Sequence, residues 1–249
     1  MQNSFVLRAA ERGHGHYLST GINATYIAGH PNATLTRQSS FNFHEYQSGR
    51  AGFGKIRVFG DEVFSGAGCG YNMHPHHNFV ICAFILKGEL THINTVGNID
   101  QLHADDYYVF SAGAGGKHCE LNLRSEDMQV IYIWFLPEQL YLPPSYHRGH
   151  FDLQANRNQL ATLVGEANGV LPIPQDVRIS RLLSDEPTEL TYRLASRQHG
   201  IYTFVIEGST QVDGVALDRR DSLGLWDIDA VQLKTSSGRN DLLIVETVM

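Results

Sequence analysis

The sequence predicts an all-β protein of two tandem antiparallel β-barrels, and three observations carry that reading. Short runs rich in Val, Ile, Tyr and Phe recur along the 249 residues, broken by Gly and Asp. Helical spacing is weak outside one stretch, Asn156 to Ala167 (NRNQLATLVGEA). Two portions of the chain also echo each other about half a chain length apart.

The strand segments, in order, are KIRVF (55–59), FVICAFIL (79–86), DYYVF (106–110), QVIYIWF (129–135), IYTFVI (201–206), SLGLWDI (222–228) and DLLIVETV (241–248). β-Branched and aromatic side chains suit a pleated, half-buried surface, which is why these runs read as strands. Leu142 to Phe151 holds two of the eight prolines and reads as a linker. The helical stretch after it would connect the halves. The echo pairs Phe84-Ile-Leu-Lys-Gly88 with Phe204-Val-Ile-Glu-Gly208, and Leu102–Asp106 (LHADD) with Leu217–Asp221 (LDRRD). Its two glycines stand 120 residues apart. A strand, a glycine turn, a second strand and an Asp-led turn make one unit of an antiparallel barrel; common strand and turn chemistry is the alternative source. The expected division is 1–140, a linker over 141–155, and 156–249.

Composition narrows the function. Apolar residues at 42% and charged residues at 18% describe a globular chain. The longest apolar run, Phe79 to Leu86, is less than half of the roughly 20 residues a membrane helix needs. A net charge of −7 disfavours the basic face that nucleic acid or an anionic membrane would require. The opening MQNSFVLRAAERGHG has no apolar core of a secretory signal. Three cysteines (Cys69, Cys82 and Cys119) in no paired spacing point to a reducing compartment, the cytoplasm.

Histidine is abundant at 13 copies. His74-Pro-His76 puts two imidazoles at i and i+2, on one face of a strand with Cα atoms roughly 6.6 Å apart, so both can converge on one ion. His118-Cys-Glu120 does the same with an imidazole and a carboxylate. Three nitrogens and one oxygen suit a divalent transition metal with positions left open for substrate or dioxygen. Composition alone, however, supplies about 0.7 His-x-His pairs in such a chain. A second pair, His14-Gly-His16, is present, and His103-Ala-Asp105 and His150-Phe-Asp152 match the other spacing. Position separates them: His74 and His76 enter the most apolar strand, and Glu120 opens the alternating ELNL. The others, His14, His16, His103 and His150, are expected in Gly- or Asp-rich loops, as exposed or capping histidines.

These residues, together with Gly66-Ala-Gly68, Phe84-Ile-Leu-Lys-Gly-Glu-Leu-Thr-His92, Asn94-Thr-Val-Gly-Asn98 and Ser111-Ala-Gly113 leading into Gly116-Lys-His-Cys-Glu120, resemble the pirin family. Weaker echoes run from Arg8–His14 through Pro144-Ser-Tyr146 to Leu171–Asp176, so the resemblance spans nearly the whole chain. It implies a bicupin, two face-to-face barrels of the double-stranded β-helix type, the N-terminal one holding one divalent metal, usually iron. The implied ligands are His74, His76, His118 and Glu120. Bacterial pirins are similar to quercetin 2,3-dioxygenases, and eukaryotic nuclear members are associated with transcription-factor complexes. The resemblance therefore implies either a flavonol dioxygenase, with the substrate's 3-hydroxyl and 4-carbonyl oxygens at the open metal positions and Glu120 taking the 3-hydroxyl proton, or a non-enzymatic regulator that docks a protein partner according to the metal's redox state. Phe79, Phe84 and Met73 are candidate pocket walls, and Cys119 is expected to face away from the metal.

Carrying the echo over to the second half lands the ligand positions on Leu194, Ser196, Leu233 and Thr235, none a strong ligand, so one metal per chain is expected. Three features depart from the family pattern. Val80 stands where many members carry Glu, Thr20 to Arg37 looks like an insertion, and Met73 and His77 give the ligand strand its own rim.

Overall fold

The computed structural model describes residues 3–18, 27–29, 32–43, 46–47 and 49–249. All seven predicted segments are strands, and among the described residues the one helical element is a 3₁₀ turn at Ala9–Glu11. No helix there is long and apolar enough to cross a membrane. Of the expected insertion, 20–26 and 30–31 lie outside the described residues; the remainder includes the short strand Ile27–Ala28 and most of Thr34–Ser39.

The chain forms two compact units. One comprises residues 13–52 and 56–150 and has two sheets. Its seven-stranded sheet runs Ser145–His150, Asp106–Ser111, Val80–Lys87, Met128–Phe135, Ile56–Ser65, Thr34–Ser39, Gly13–Leu18. Its five-stranded sheet runs Ile27–Ala28, Cys69–His76, Gly116–Asn122, Glu89–Asn94, Ile99–His103. The core of this unit includes Leu35, Phe64, Ile81, Ile85, Tyr108, Phe110 and Val130. The other unit comprises residues 1–12, 53–55 and 151–249, with a six-stranded and a four-stranded sheet around Ile201, Val205, Leu223, Leu225, Leu233 and Ile244. Where the sequence predicts barrels, backbone hydrogen bonding gives four open sheets, because the outermost strands of each take one partner apiece.

Two local expectations change. The predicted helix over 156–167 is instead a turn followed by the strand Gln159–Val164, paired with Val177–Ser184 from Gln159↔Leu183 to Val164↔Ile179. Helix propensity is a weak prior, and the open edge of the neighbouring strand overrides it. The turn is fastened by the Asp152 carboxylate, which accepts from the Gln154 and Ala155 amides at 2.9 and 3.0 Å. Within the stretch read as a linker, Ser145–His150 is a strand hydrogen-bonded along the whole of Asp106–Ser111.

The internal echo has a structural counterpart. Gly88 and Gly208 both take positive φ (78° and 83°) after long strands, and a Cβ there would meet backbone at 2.9 Å (Asp127 O) or 2.5 Å (Arg239 O). Only glycine fits such a turn. Further on, Asp105 and Arg220 adopt φ of 70° and 69°. Their amides donate to Ile85 O and Val205 O at 2.8 and 2.7 Å. Asp106 and Asp221 each accept the amide three residues back, from His103 and Asp218. The shorter hairpin of the second copy, Thr210–Val212 with Val215–Leu217, is why Asp106 and Asp221 stand 115 residues apart while the glycines stand 120 apart.

Candidate metal centre

His74 and His76 lie on Cys69–His76, and His118 and Glu120 on Gly116–Asn122, its antiparallel neighbour. In register, His118 faces His74 and Gly116 faces His76. Pro75 is tolerated because, on its other side, the strand is paired only at Gly70 and Tyr71. The register slips between His118 and Glu120, so Asn72 and Met73 together oppose Cys119. This bulge reverses the parity of the ligand strand, which is how Tyr71 and His74, three residues apart, both line one cavity. Against the Glu89–Asn94 strand the pairing stays regular, and Cys119 does not line the cavity.

The four expected ligands come together. Ligand nitrogens of His74, His76 and His118 lie within 4.8 Å of one another, the one such group among the described residues. Glu120 Oε2 stands 3.6 Å from His118 Nε2 and 3.9 Å from His74 Nε2. Donors sharing an ion at about 2.0–2.2 Å can be no more than about 4.4 Å apart, so both separations fit. The far nitrogens are engaged: His74 Nδ1 with Asn72 O at 2.7 Å, His118 Nδ1 with His92 Nε2 at 3.0 Å. The Tyr108 hydroxyl donates to Glu120 Oε1 at 2.7 Å. His76 Nε2 is buried without a partner. A buried ring nitrogen with no hydrogen-bond partner in the protein fits a role as a cation ligand.

Electrostatics agree. Burial, with His74 nearby, pushes His76 down to about 3, and burial holds His74 and His118 below the ordinary imidazole value, so the rings offer lone pairs. Glu120 is 3% exposed, and burial drives it up to about 8 despite its bond from Tyr108. A divalent cation among neutral rings would offset the cost of burying that anion.

The cavity measures about 260 Å³ and is walled by Phe43, Val58, Tyr71, Tyr132 and Trp134 as well as His74, His76 and Glu120, with His118 buried behind them. Trp134 sits edge-on to both His76 and Phe43, at 4.7 and 5.6 Å between centroids. None of the three walls suggested by the sequence lines it. Phe84 is core, stacked on Tyr107 at 5.8 Å; Phe79 packs behind Trp134; Met73 is exposed. The four other histidines lie on outermost strands rather than in the expected loops, and none lines the cavity: His14 and His16 are exposed, His103 lies 3.2 Å from Glu89, and His150 bonds Asp106 at 2.7 Å. Val80 is fully buried and does not line the cavity either.

A second carboxylate does line it, from a position sequence reasoning missed. Arg37 and Glu62 face each other across Thr34–Ser39 and Ile56–Ser65, with Nε donating to Oε1 at 2.7 Å. The Tyr71 hydroxyl donates to Glu62 Oε2 at 2.8 Å and accepts from Arg37, closing a buried ring of three. Arg37 also lies over the Phe43 ring, 4.0 Å from its centroid. Opposite charges on the inward phase of two neighbouring strands were the available signal.

Comparison with known proteins agrees with this architecture. The pirin family model matches residues 22–135, and the quercetinase C-terminal cupin domain model matches 164–246. A Pasteurella multocida relative is 30% identical over 213 residues, covering 82% of this chain and 88% of its own. The chain belongs to the pirin family, with a two-domain cupin fold. It is similar to a quercetin 2,3-dioxygenase of Escherichia coli K12, at 29% identity over 243 residues and 96% of each chain. It also resembles the bacterial pirin YhhW from Escherichia coli, solved in complex with nickel(II), at TM-score 0.85, 24% identity and 99% of each chain.

Proposed function

We propose that this chain is a metal-dependent dioxygenase that opens a flavonol such as quercetin, using one divalent ion held by His74, His76, His118 and Glu120. The observation that carries the proposal is a cluster of three imidazoles with a carboxylate beside them, of which His74, His76 and Glu120 line an aromatic-walled cavity. We assign the ion as iron; the same nitrogen and oxygen set also accepts nickel, the ion in the YhhW complex. When bound, it supplies Lewis-acid coordination for the substrate's oxygens and a path for electrons to dioxygen.

The protein's own groups do the rest. Phe43, Tyr71, Tyr132 and Trp134 offer flat, largely apolar surfaces that hold a planar aromatic and exclude water. Glu120, steadied by Tyr108, takes the proton of the substrate's acidic hydroxyl. The Arg37–Glu62–Tyr71 ring is a rigid polar wall whose hydrogen-bonding groups orient the remaining hydroxyls. Loss of the family Glu at position 80 leaves this arrangement intact, since that side chain lies outside the cavity lining. The compartment in the same reading is the cytoplasm, in keeping with three free, buried thiols.

The test is quercetin loss and dioxygen uptake by metal-analysed, iron-loaded protein. Glu120→Gln is expected to retain a substantial share of the metal and lose about 10²–10⁴ in rate, the usual value of a positioned base. No turnover by the loaded, unmutated protein would transfer the case to a non-enzymatic regulator that docks a protein partner.

A further inference from the structure

We propose that His92 is a positioning residue for the metal centre: through one imidazole–imidazole hydrogen bond it sets which nitrogen of His118 is free to bind the ion. The inference rests on the reading above that His74, His76 and His118 hold a metal. His92 lies on Glu89–Asn94, directly opposite Glu120 in register, and is fully buried. Its ring is packed by Tyr108 and Tyr146, with centroids at 4.4 and 5.1 Å. Its Nε2 is 3.0 Å from His118 Nδ1, and its Nδ1 is buried without a partner.

One hydrogen bond between two imidazoles holds one proton, and for neutral rings this leaves two arrangements. If His92 Nε2 carries it, His118 accepts at Nδ1 and must carry its own proton on Nε2. That atom is the one directed toward Glu120 Oε2, and a protonated Nε2 has no lone pair for a metal. If His118 Nδ1 carries it, His118 Nε2 is free, and His92 carries its own proton on Nδ1, buried with no acceptor. The two arrangements contain the same number of protons. They differ by removal of one from His118 Nε2 and gain of one at His92 Nδ1, with the shared proton crossing the hydrogen bond.

Unpaired buried N–H groups are rarer than unpaired acceptors, so the metal-free protein favours the first arrangement and the metal-loaded protein is held to the second. Metal occupancy thereby changes the tautomer of a residue that does not touch the ion. Metal-ligating histidines usually donate their second N–H to a carboxylate, carbonyl or water. Here the acceptor is another imidazole, with two states of its own.

The test uses the full chain with Zn²⁺ alone as the probe. In ¹H–¹⁵N spectra of the imidazoles, His92 is expected as the Nε2–H tautomer before zinc and the Nδ1–H tautomer after. His92→Phe, which has no acceptor, is expected to bind zinc about 10–100-fold more weakly. His92→Gln, which restores an acceptor oxygen, should recover most of that loss. An Nε2–H tautomer at His92 in the loaded, unmutated protein overturns the proposal, even where His92→Phe misfolds. Zinc binding by folded His92→Phe at full strength, alongside loss of zinc in His118→Ala, overturns it alone. Full zinc binding by His118→Ala overturns the metal reading and this inference together.

Discussion

Replacing Glu120 with Gln is expected to stabilise the metal-free protein at neutral pH. The side chain is 3% exposed, and burial raises its carboxyl from the ordinary 4.5 to about 8. The folded state thus binds this proton more tightly than the unfolded chain does. Its contribution to stability is complete below pH 4.5 and is lost as pH rises through about 8. At ~1.4 kcal/mol per pH unit, the loss between pH 4.5 and 7 reaches about 3 kcal/mol. Glutamine keeps an acceptor for the Tyr108 hydroxyl, now 2.7 Å from Oε1, and carries no charge to bury. Urea unfolding of chelator-treated protein should therefore place Glu120→Gln above the unmutated chain by up to about 3 kcal/mol at pH 7, with the two converging near pH 4.5. Saturating Zn²⁺ should reverse the order, because the ion offsets the buried charge only where there is one. Equal stabilities at pH 7 without metal would refute the reasoning, since they would mean the carboxylate is not held in a desolvated site.

Three further outcomes are expected. Elemental analysis should find one transition metal per chain, abolished by His74→Ala with His118→Ala; two equivalents, or unchanged content in the double variant, would contradict the assignment. Cys119→Ser should leave metal content unchanged, since strand alternation between His118 and Glu120 turns the Cys119 side chain to the opposite face; loss of metal would show that the thiol turns inward. Arg37→Met should cost about 3–5 kcal/mol by leaving Glu62, 1% exposed, without its counter-ion, and adding Glu62→Gln should recover much of it. A small Arg37→Met effect by urea titration would show that water reaches the pair.

Much of the fold was legible because strand propensity and turn chemistry act locally. The seven β runs are strands, and Gly88, Gly208, Asp106 and Asp221 act in the turns their spacing suggests. The failures came where partners distant in sequence decide. Residues 159–164 are a strand because Val177–Ser184 has an edge to pair, and 145–150 because Asp106–Ser111 does. The candidate ligands stand out in the sequence as two i, i+2 pairs, and the structure brings their side chains together. The cavity around them was not legible, because a bulge at Asn72 and Met73 changes which residues face inward. That change brings Tyr71 in, and with it the link to Glu62 and Arg37.

The internal repeat separates what the fold requires from what the chemistry requires. Both copies keep the glycine turn, the positive-φ residue and the Asp-led turn, since each closes backbone hydrogen bonds without which the sheet would end differently. The ligand positions carry no such demand. In register, Glu120 faces His92 and Leu233 faces Val212, the residue 120 positions after His92, so Glu120 and His118 are matched by Leu233 and Val231, both in a packed core. The same framework thus supports a polar cavity in one copy and a filled interior in the other. Four side chains and the groups behind them, not the sheets, make the difference. A metal site could therefore be lost or gained in this fold without disturbing its turns, and substitutions at His74, His76 or His118 should be read as changes in chemistry before they are read as changes in fold.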